Sequence, residues 1–172
     1  WLLGSSLYSA QLAAQLGLPF AFASHFAPRM LLQAIQIYRE TFRPSAQLAA
    51  PYVAIGVPLV AAPTDDEAAY LASSTHQRVL GILTGRRGQL PPPVENFLPQ
   101  LDHGAQAAIA DFLAAAVIGG PDTVRAGLQR LAELTQANEL VLVSDVYESA
   151  LRMRGLDIAA AAARSLNAAV TQ

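Results

Sequence analysis

Residues 1–23, Trp1-Leu2-Leu3-Gly4-Ser5-Ser6-Leu7-Tyr8-Ser9-Ala10-Gln11-Leu12-Ala13-Ala14-Gln15-Leu16-Gly17-Leu18-Pro19-Phe20-Ala21-Phe22-Ala23, set the architecture. Trp1-Leu2-Leu3 is a short apolar run closed by the turn residues Gly4-Ser5-Ser6. From Ser9 the apolar positions change to helical spacing, at Leu12, Ala13 and Leu16, until Gly17 stops the helix. Residues 18–23 then form a second apolar run, bounded as a buried strand is. Strand, turn, helix and strand in this order make a βαβ unit, which requires parallel strands.

The same alternation continues outward. A helix is predicted over 28–42, opened by Pro28, a favoured first-turn residue. Residues 52–62 are rich in valine and isoleucine and read as a third strand, in which Pro58 forfeits a ladder donor and implies a bend or an edge. Thr64-Asp65-Asp66-Glu67 has capping-box spacing, so that the Thr64 and Glu67 side chains are expected to satisfy each other's orphan amides. The helix that follows runs to about residue 83, where Thr84-Gly85 ends it. Residues 86–99 contain Pro91-Pro92-Pro93, cannot be helical, and read as an extended surface excursion before an alanine-rich helix over 102–116. Together 86–116 form an insertion within one domain, 1–172. Gly119-Gly120-Pro121-Asp122 opens a further helix to about residue 136, residues 139–144 are a fourth strand, and a long helix over 147–169 closes the chain. Four strands alternating with helices predict an α/β fold with a parallel sheet and right-handed crossovers.

Composition narrows the function classes. Hydrophobic residues make up 53% of the 172 and charged residues 14%, against roughly 45–50% and about 25% in typical soluble domains. The excess apolar surface calls for a partner or a further half. All 11 basic residues are arginine, they form no run, and 13 acidic residues give a net charge of −2. Such a balance lacks the basic stripe that displaces counterions from nucleic acid. No apolar run approaches the roughly 18 residues of a membrane span, so a soluble protein is expected; the absence of cysteine fits the cytoplasm and the outside equally, and the cytoplasm is the compartment expected. Zero cysteines exclude disulfides, thiolate catalysis and cysteine-ligated metal. With no signal-peptide pattern before Trp1, the chain reads as beginning inside a longer gene product.

Chemistry is expected at the carboxyl ends of the strands, where α/β folds bind ligands. At Gly4-Ser5-Ser6-Leu7-Tyr8-Ser9 a strand end meets a helix start. Gly4 permits close backbone approach, first-turn amides point at an anion, and Ser6 and Ser9, three apart, can present two hydroxyls to one phosphate. The competing reading makes Ser5 or Ser6 a simple N-cap. His25, just past the second strand, is a candidate to face a ligand, against the competing reading of a histidine bonded to loop backbone. His76, mid-helix, and His103, in a first turn, read as solvated groups, and no histidine pair has metal-ligand spacing. Asp65-Asp66-Glu67 and Asp122 read as helix-start charges favoured by the dipole. Arg152 and Arg154 suit either an anion or a long amphipathic helix. No dinucleotide fingerprint, Walker loop, nucleophile elbow or zinc-protease motif is present.

Residues 1–6, Ala10, residues 12–14, residues 16–28, Tyr38-Arg39 and Phe42-Arg43-Pro44-Ser45 resemble the bacterial luciferase-like flavin-dependent monooxygenases. The resemblance continues through Ala62-Pro63-Thr64-Asp65-Asp66-Glu67-Ala68, Pro91-Pro92-Pro93, Val117-Ile118-Gly119-Gly120-Pro121 and Glu139-Leu140-Val141-Leu142-Val143-Ser144. It implies the second half of a (β/α)8 barrel, with parallel strands and the insertion between the last two of them. It also implies monooxygenation of a small organic substrate with reduced FMN and oxygen, a possible flavin reductase partner, and a homo-oligomer. By the same resemblance Ser6 and Ser9 match the hydroxyl positions that hold the flavin phosphate, Gly4 and Ser5 line the approach, and Ala23-Ser24-His25 matches the loop beside the flavin ring. It assigns no catalytic base beyond the candidate His25, and no metal. The light-emitting member has glutamate at the position of Ser5, so light emission is not implied. Two alternatives stand beside this reading: a non-catalytic flavin-binding or assembly module, and a deazaflavin-dependent reductase on the same barrel.

Overall fold

The computed structural model describes the backbone of residues 1–170 and the side chains of residues 1–166. The chain divides into two compact units, one built from residues 1–57, 112–115 and 131–143, the other from 58–111, 116–130 and the chain from 144 onward.

In the first unit β1 (Leu2–Gly4) leads through α1 (Leu7–Gln15) to β2 (Phe20–Phe22), and a 3₁₀ turn at Pro28–Met30 leads into α2 (Leu31–Thr41) and then β3 (Val53–Ala61). β1 and β2 are parallel, with Leu2 opposite Phe20 and Gly4 opposite Phe22. β2 and β3 are parallel, with Phe20 opposite Val53. β5 (Glu139–Val143) also pairs with β3. Ala10, Ala13 and Ala14 of α1 are fully buried, and side chains this small let the helix lie close to its neighbours. This core also includes Phe20, Phe22, Ala34, Ile35, Tyr38, Val53 and Ile55. Gly17 ends α1 as expected, at φ +61°, and a Cβ there would lie 2.6 Å from the Arg43 carbonyl oxygen.

In the second unit the last residues of β3 pair in parallel with β4 (Val117–Gly119), Leu59 opposite Val117. β4 is the strand that periodicity did not reveal, so the excursion runs between β3 and β4, and β5 follows after one more helix. Every residue of β3 is buried, as expected of a strand inside a parallel sheet. Its Pro58 makes neither an edge nor a break. Registered pairing with β2 covers Val53 to Ile55 and that with β4 covers Leu59 to Ala61, so neither register claims a donor at Pro58. The helices of this unit are α3 (Asp65–Leu83), α4 (His103–Phe112), α5 (Pro121–Thr135) and α6 (Ser149–Val170). Its core gathers Val60, Ala62, Ala68, Leu71, Ala72 and Val146, with Ile118 and Leu151 packed on it. Gly155 brings α6 against the strand end, since a Cβ there would meet the Ala61 carbonyl oxygen at 2.6 Å.

Three expectations change in this unit. The Thr64 hydroxyl caps α3 by accepting the Glu67 amide at 3.2 Å, but Glu67 does not complete the box. Its carboxylate pairs instead with Arg154 of α6, so a long-range ion pair outcompetes the local bond. Arg154 is thereby a structural partner, while Arg152 reaches Ser149 within its own helix. His76 is buried rather than solvated, because the proline-rich excursion is docked on α3. The Val94 amide donates to Ser73 Oγ at 2.8 Å and Gln77 Nε2 donates to the Pro92 carbonyl at 2.9 Å. His103 is exposed at the start of α4, as read. No helix among the described residues is long and apolar enough to cross a membrane.

Candidate functional site

The β1–α1 turn and the segment after β2 lie side by side in the first unit. The Ala23 amide donates to the Gly4 carbonyl at 2.8 Å, which continues the strand pairing past Phe22. Ser6 is the N-cap of α1, in extended conformation, and the cap is reciprocal. Ser6 Oγ accepts the Ser9 amide and Ser9 Oγ accepts the Ser6 amide, both at 3.2 Å. The turn is therefore an N-cap, as the simpler reading had it, and it also brings the two hydroxyls to 3.3 Å from each other.

The two serines are not equivalent. Ser9 is buried and its hydroxyl donates to the Ser6 carbonyl at 2.7 Å, so its proton is spent inside the turn. Ser6 is exposed, Ser5 and Gly4 half-buried. Ser6 Oγ accepts the Ser9 amide and donates its own proton to Ser9 Oγ at 3.3 Å, a long bond that the exposed hydroxyl can exchange for an acceptor outside the turn. The Leu7 and Tyr8 amides, in the first turn of a nine-residue helix, have no intrahelical acceptor and carry the positive end of its dipole. Gly4 is required by packing, because a Cβ there would lie 2.2 Å from Ser9 Oγ.

Ser24, placed in this loop by the family resemblance, and Gly56, which sequence reasoning passed over, hold the neighbouring loop. Ser24 is fully buried and its hydroxyl donates to the Gly56 carbonyl of β3. Gly56 leaves room for His25, since a Cβ on it would lie 2.6 Å from His25 Nδ1. The half-buried imidazole lies 4.2 Å from the Phe26 ring, centroid to centroid. A glycine inside the apolar run Ile55-Gly56-Val57 was the available signal, because glycine within a strand marks a close approach.

The helix-start acids of the second unit are structural. Asp65 accepts the Gly120 amide at 2.6 Å and the Thr123 hydroxyl at 3.1 Å, so its own carboxylate occupies the start of α5. The Gly120 amide first, and Thr123 second, hold its carboxyl below the ordinary value of 3.8. A carboxyl depressed on folding stabilises the protein above its unfolded value and loses that contribution as the pH falls through the folded one. Asp65→Asn is thus expected to lower stability at neutral pH, and the gap to wild type to shrink as the pH drops below 3.8. Urea titrations across that range check it, and a pH-independent gap speaks against the charge. Among the described residues no group of three or more histidine, aspartate or glutamate side chains is arranged to hold a metal.

The architecture has parallels in known proteins. The family model described as luciferase-like monooxygenase matches residues 1–137. A luciferase-like monooxygenase of Escherichia coli K12 is 43% identical over 159 residues, covering 92% of this chain and 48% of the relative. The crystal structure of apo-MsnO8 superposes with a TM-score of 0.79 at 31% identity, over 95% of this chain and 50% of that one. The oxygenating constituent of the Pseudomonas putida 3,6-diketocamphane monooxygenase, solved with FMN, superposes with a TM-score of 0.53 at 19% identity, over 91% of this chain and 45% of that one. This last likeness concerns the fold alone. The chain spans about half the length of the curated relatives it matches, and its parallel α/β fold is half of their barrel. With the family model matched over most of its length and relatives at this identity, the chain belongs to the luciferase-like monooxygenases.

Proposed function

We propose that this chain supplies the flavin-phosphate turn of a flavin-dependent monooxygenase, which uses reduced FMN and oxygen to oxidise a small organic substrate. One observation carries the reading: an exposed helix start with converged serine hydroxyls at the carboxyl end of a parallel strand, in a chain of this family. The residues fit a phosphate. The Leu7 and Tyr8 amides donate, Ser6 Oγ–H joins them by exchanging its 3.3 Å bond to Ser9 Oγ for the phosphate, Ser5 borders the approach, Ser9 sets the angle of Ser6, and Gly4 lets the helix start lie against the strand. His25, with its loop pinned by Ser24 and Gly56, borders the flavin ring and orients it. The flavin, when bound, supplies the redox chemistry with oxygen, while the protein binds it, orients it and keeps water out. A reductase delivering the reduced cofactor, a cytoplasmic setting and assembly with a second copy belong to the same proposal.

Ser6→Ala with Ser9→Ala is expected to weaken FMN binding at least tenfold, about 1.4 kcal/mol, in a titration that follows flavin fluorescence. Ser6→Asp separates the phosphate role from the cap. Aspartate caps a helix as well as serine does but sets a like charge against the phosphate, so the variant is expected to keep its helix signal and lose FMN. Undiminished FMN affinity in Ser6→Asp would overturn the turn's role. Preference for a deazaflavin over FMN in the same titration would favour the reductase alternative.

A further inference from the structure

The second unit holds a cavity that the flavin reading does not use. Residues 91–99 form a strap along α3, fixed by the Val94–Ser73 and Gln77–Pro92 hydrogen bonds. Its three consecutive prolines have restricted φ, so little conformational entropy remains to be lost when the strap is docked. Between strap and helix lies a groove of about 420 Å³, within the range of small-molecule sites, roughly 300–1,000 Å³. Asp66, Tyr70, Glu95 and Phe97 border it, and Ser73 and His76 form its floor.

The floor and the rim ask for different things. Ser73 is satisfied, since its hydroxyl donates to the Tyr70 carbonyl at 2.6 Å while accepting from the Val94 amide. His76 is only 9% exposed, lines the groove, and forms no hydrogen bond within the described residues. Its nitrogens are not sealed in the protein interior, and the open side of this imidazole is the groove it lines. Burial pushes the His76 pKa down, so at neutral pH the ring is uncharged and offers one acceptor nitrogen and one N–H. The rim carries two carboxylates and two aromatic rings, and no arginine lines the cavity. An anion would meet Asp66 and Glu95 uncompensated. A cation meets carboxylates, aromatic faces and a neutral imidazole acceptor together.

We propose that the groove between α3 and the proline strap binds a small organic cation, a protonated primary amine on an aromatic body, with Asp66 and Glu95 supplying the charge and His76 the directional hydrogen bond. The occupant ties the strap to the helix, because its ligands come from both. Asp66 and Tyr70 of α3 and Glu95 of the strap are the titratable groups that face His76 across the groove. Affinity therefore falls on acidification, as the imidazole charges and loses its acceptor.

Benzylamine is the probe, and benzyl alcohol and benzoate are its uncharged and anionic counterparts of similar shape. The readout is the Cε1–H resonance of His76, assigned by its loss in His76→Gln. Benzylamine at neutral pH is expected to move that resonance saturably, with affinity at least tenfold above that of benzyl alcohol and with no saturable shift from benzoate. Asp66→Asn with Glu95→Gln changes only exposed side chains and leaves the fold intact. It is expected to reduce benzylamine affinity at least fivefold. The proposal is overturned if benzylamine gives no saturable shift, if benzyl alcohol binds equally well, or if the double variant binds as wild type does.

Discussion

Replacing Gly4 by alanine is expected to cost the first unit about 1–3 kcal/mol, the usual range for forcing extra volume into a well-packed site, and to weaken FMN binding more than tenfold. The new methyl group would lie 2.2 Å from Ser9 Oγ and 2.3 Å from Ser9 Cβ. Ser9 has nowhere to go. It is buried, its hydroxyl is bonded to the Ser6 carbonyl and amide, and the next turns of α1 present Ala10, Ala13 and Ala14, all fully buried. Relief therefore requires the start of α1 to lift from β1, which moves the Ser6 hydroxyl and the Leu7 and Tyr8 amides together. Urea denaturation and flavin titration of the same variant read the two effects. Adding Ser9→Gly returns the missing volume, and a double variant recovering part of the lost stability would identify the clash as the cause. A Gly4→Ala protein with unchanged stability and affinity would show that the close approach has no role in either.

The first unit was largely legible because its signals are local. The strand-turn-helix-strand order, the stop at Gly17 and the convergence of Ser6 with Ser9 all follow from spacings of a few residues, and the family resemblance rests on the same stretch. What escaped depends on contacts distant in sequence. Val117–Gly119 is a strand only because Leu59 to Ala61 offer it a partner, and two apolar residues followed by two glycines carry no periodicity to announce it. His76 stands among polar neighbours and reads as solvated until the strap, some twenty residues later, covers it. Glu67 has the spacing of a capping box, but Arg154 is 87 residues away and outcompetes the local amide. The groove could not be read from sequence for the same reason. Its acids come from two segments, and each alone resembles ordinary surface charge.

Tyr38→Ala is expected to be the most destabilising single change in the first unit. Tyr38 is fully buried and its ring packs on Phe20 at 5.3 Å and Phe42 at 5.6 Å. Removing such a ring leaves a cavity, and truncations of large aromatic side chains to alanine cost about 3–5 kcal/mol. The hydroxyl adds a separate contribution. It donates to the Leu18 carbonyl at 2.8 Å and accepts the Tyr52 amide at 3.1 Å, tying α2 to the residues that lead into β2 and β3. Burial raises its pKa, so the phenol keeps the proton it donates. Tyr38→Phe retains the ring packing and strands one carbonyl and one amide, a loss of about 1–3 kcal/mol. The expected order in urea is wild type above Tyr38→Phe above Tyr38→Ala, with an unchanged slope if unfolding stays two-state. A neutral Tyr38→Phe would mean that water replaces both bonds and that packing alone seats α2. A graded loss would mean that the hydroxyl helps to set where β2 begins. Through the Gly4–Phe22 register it would then bear on the turn proposed to hold the flavin phosphate.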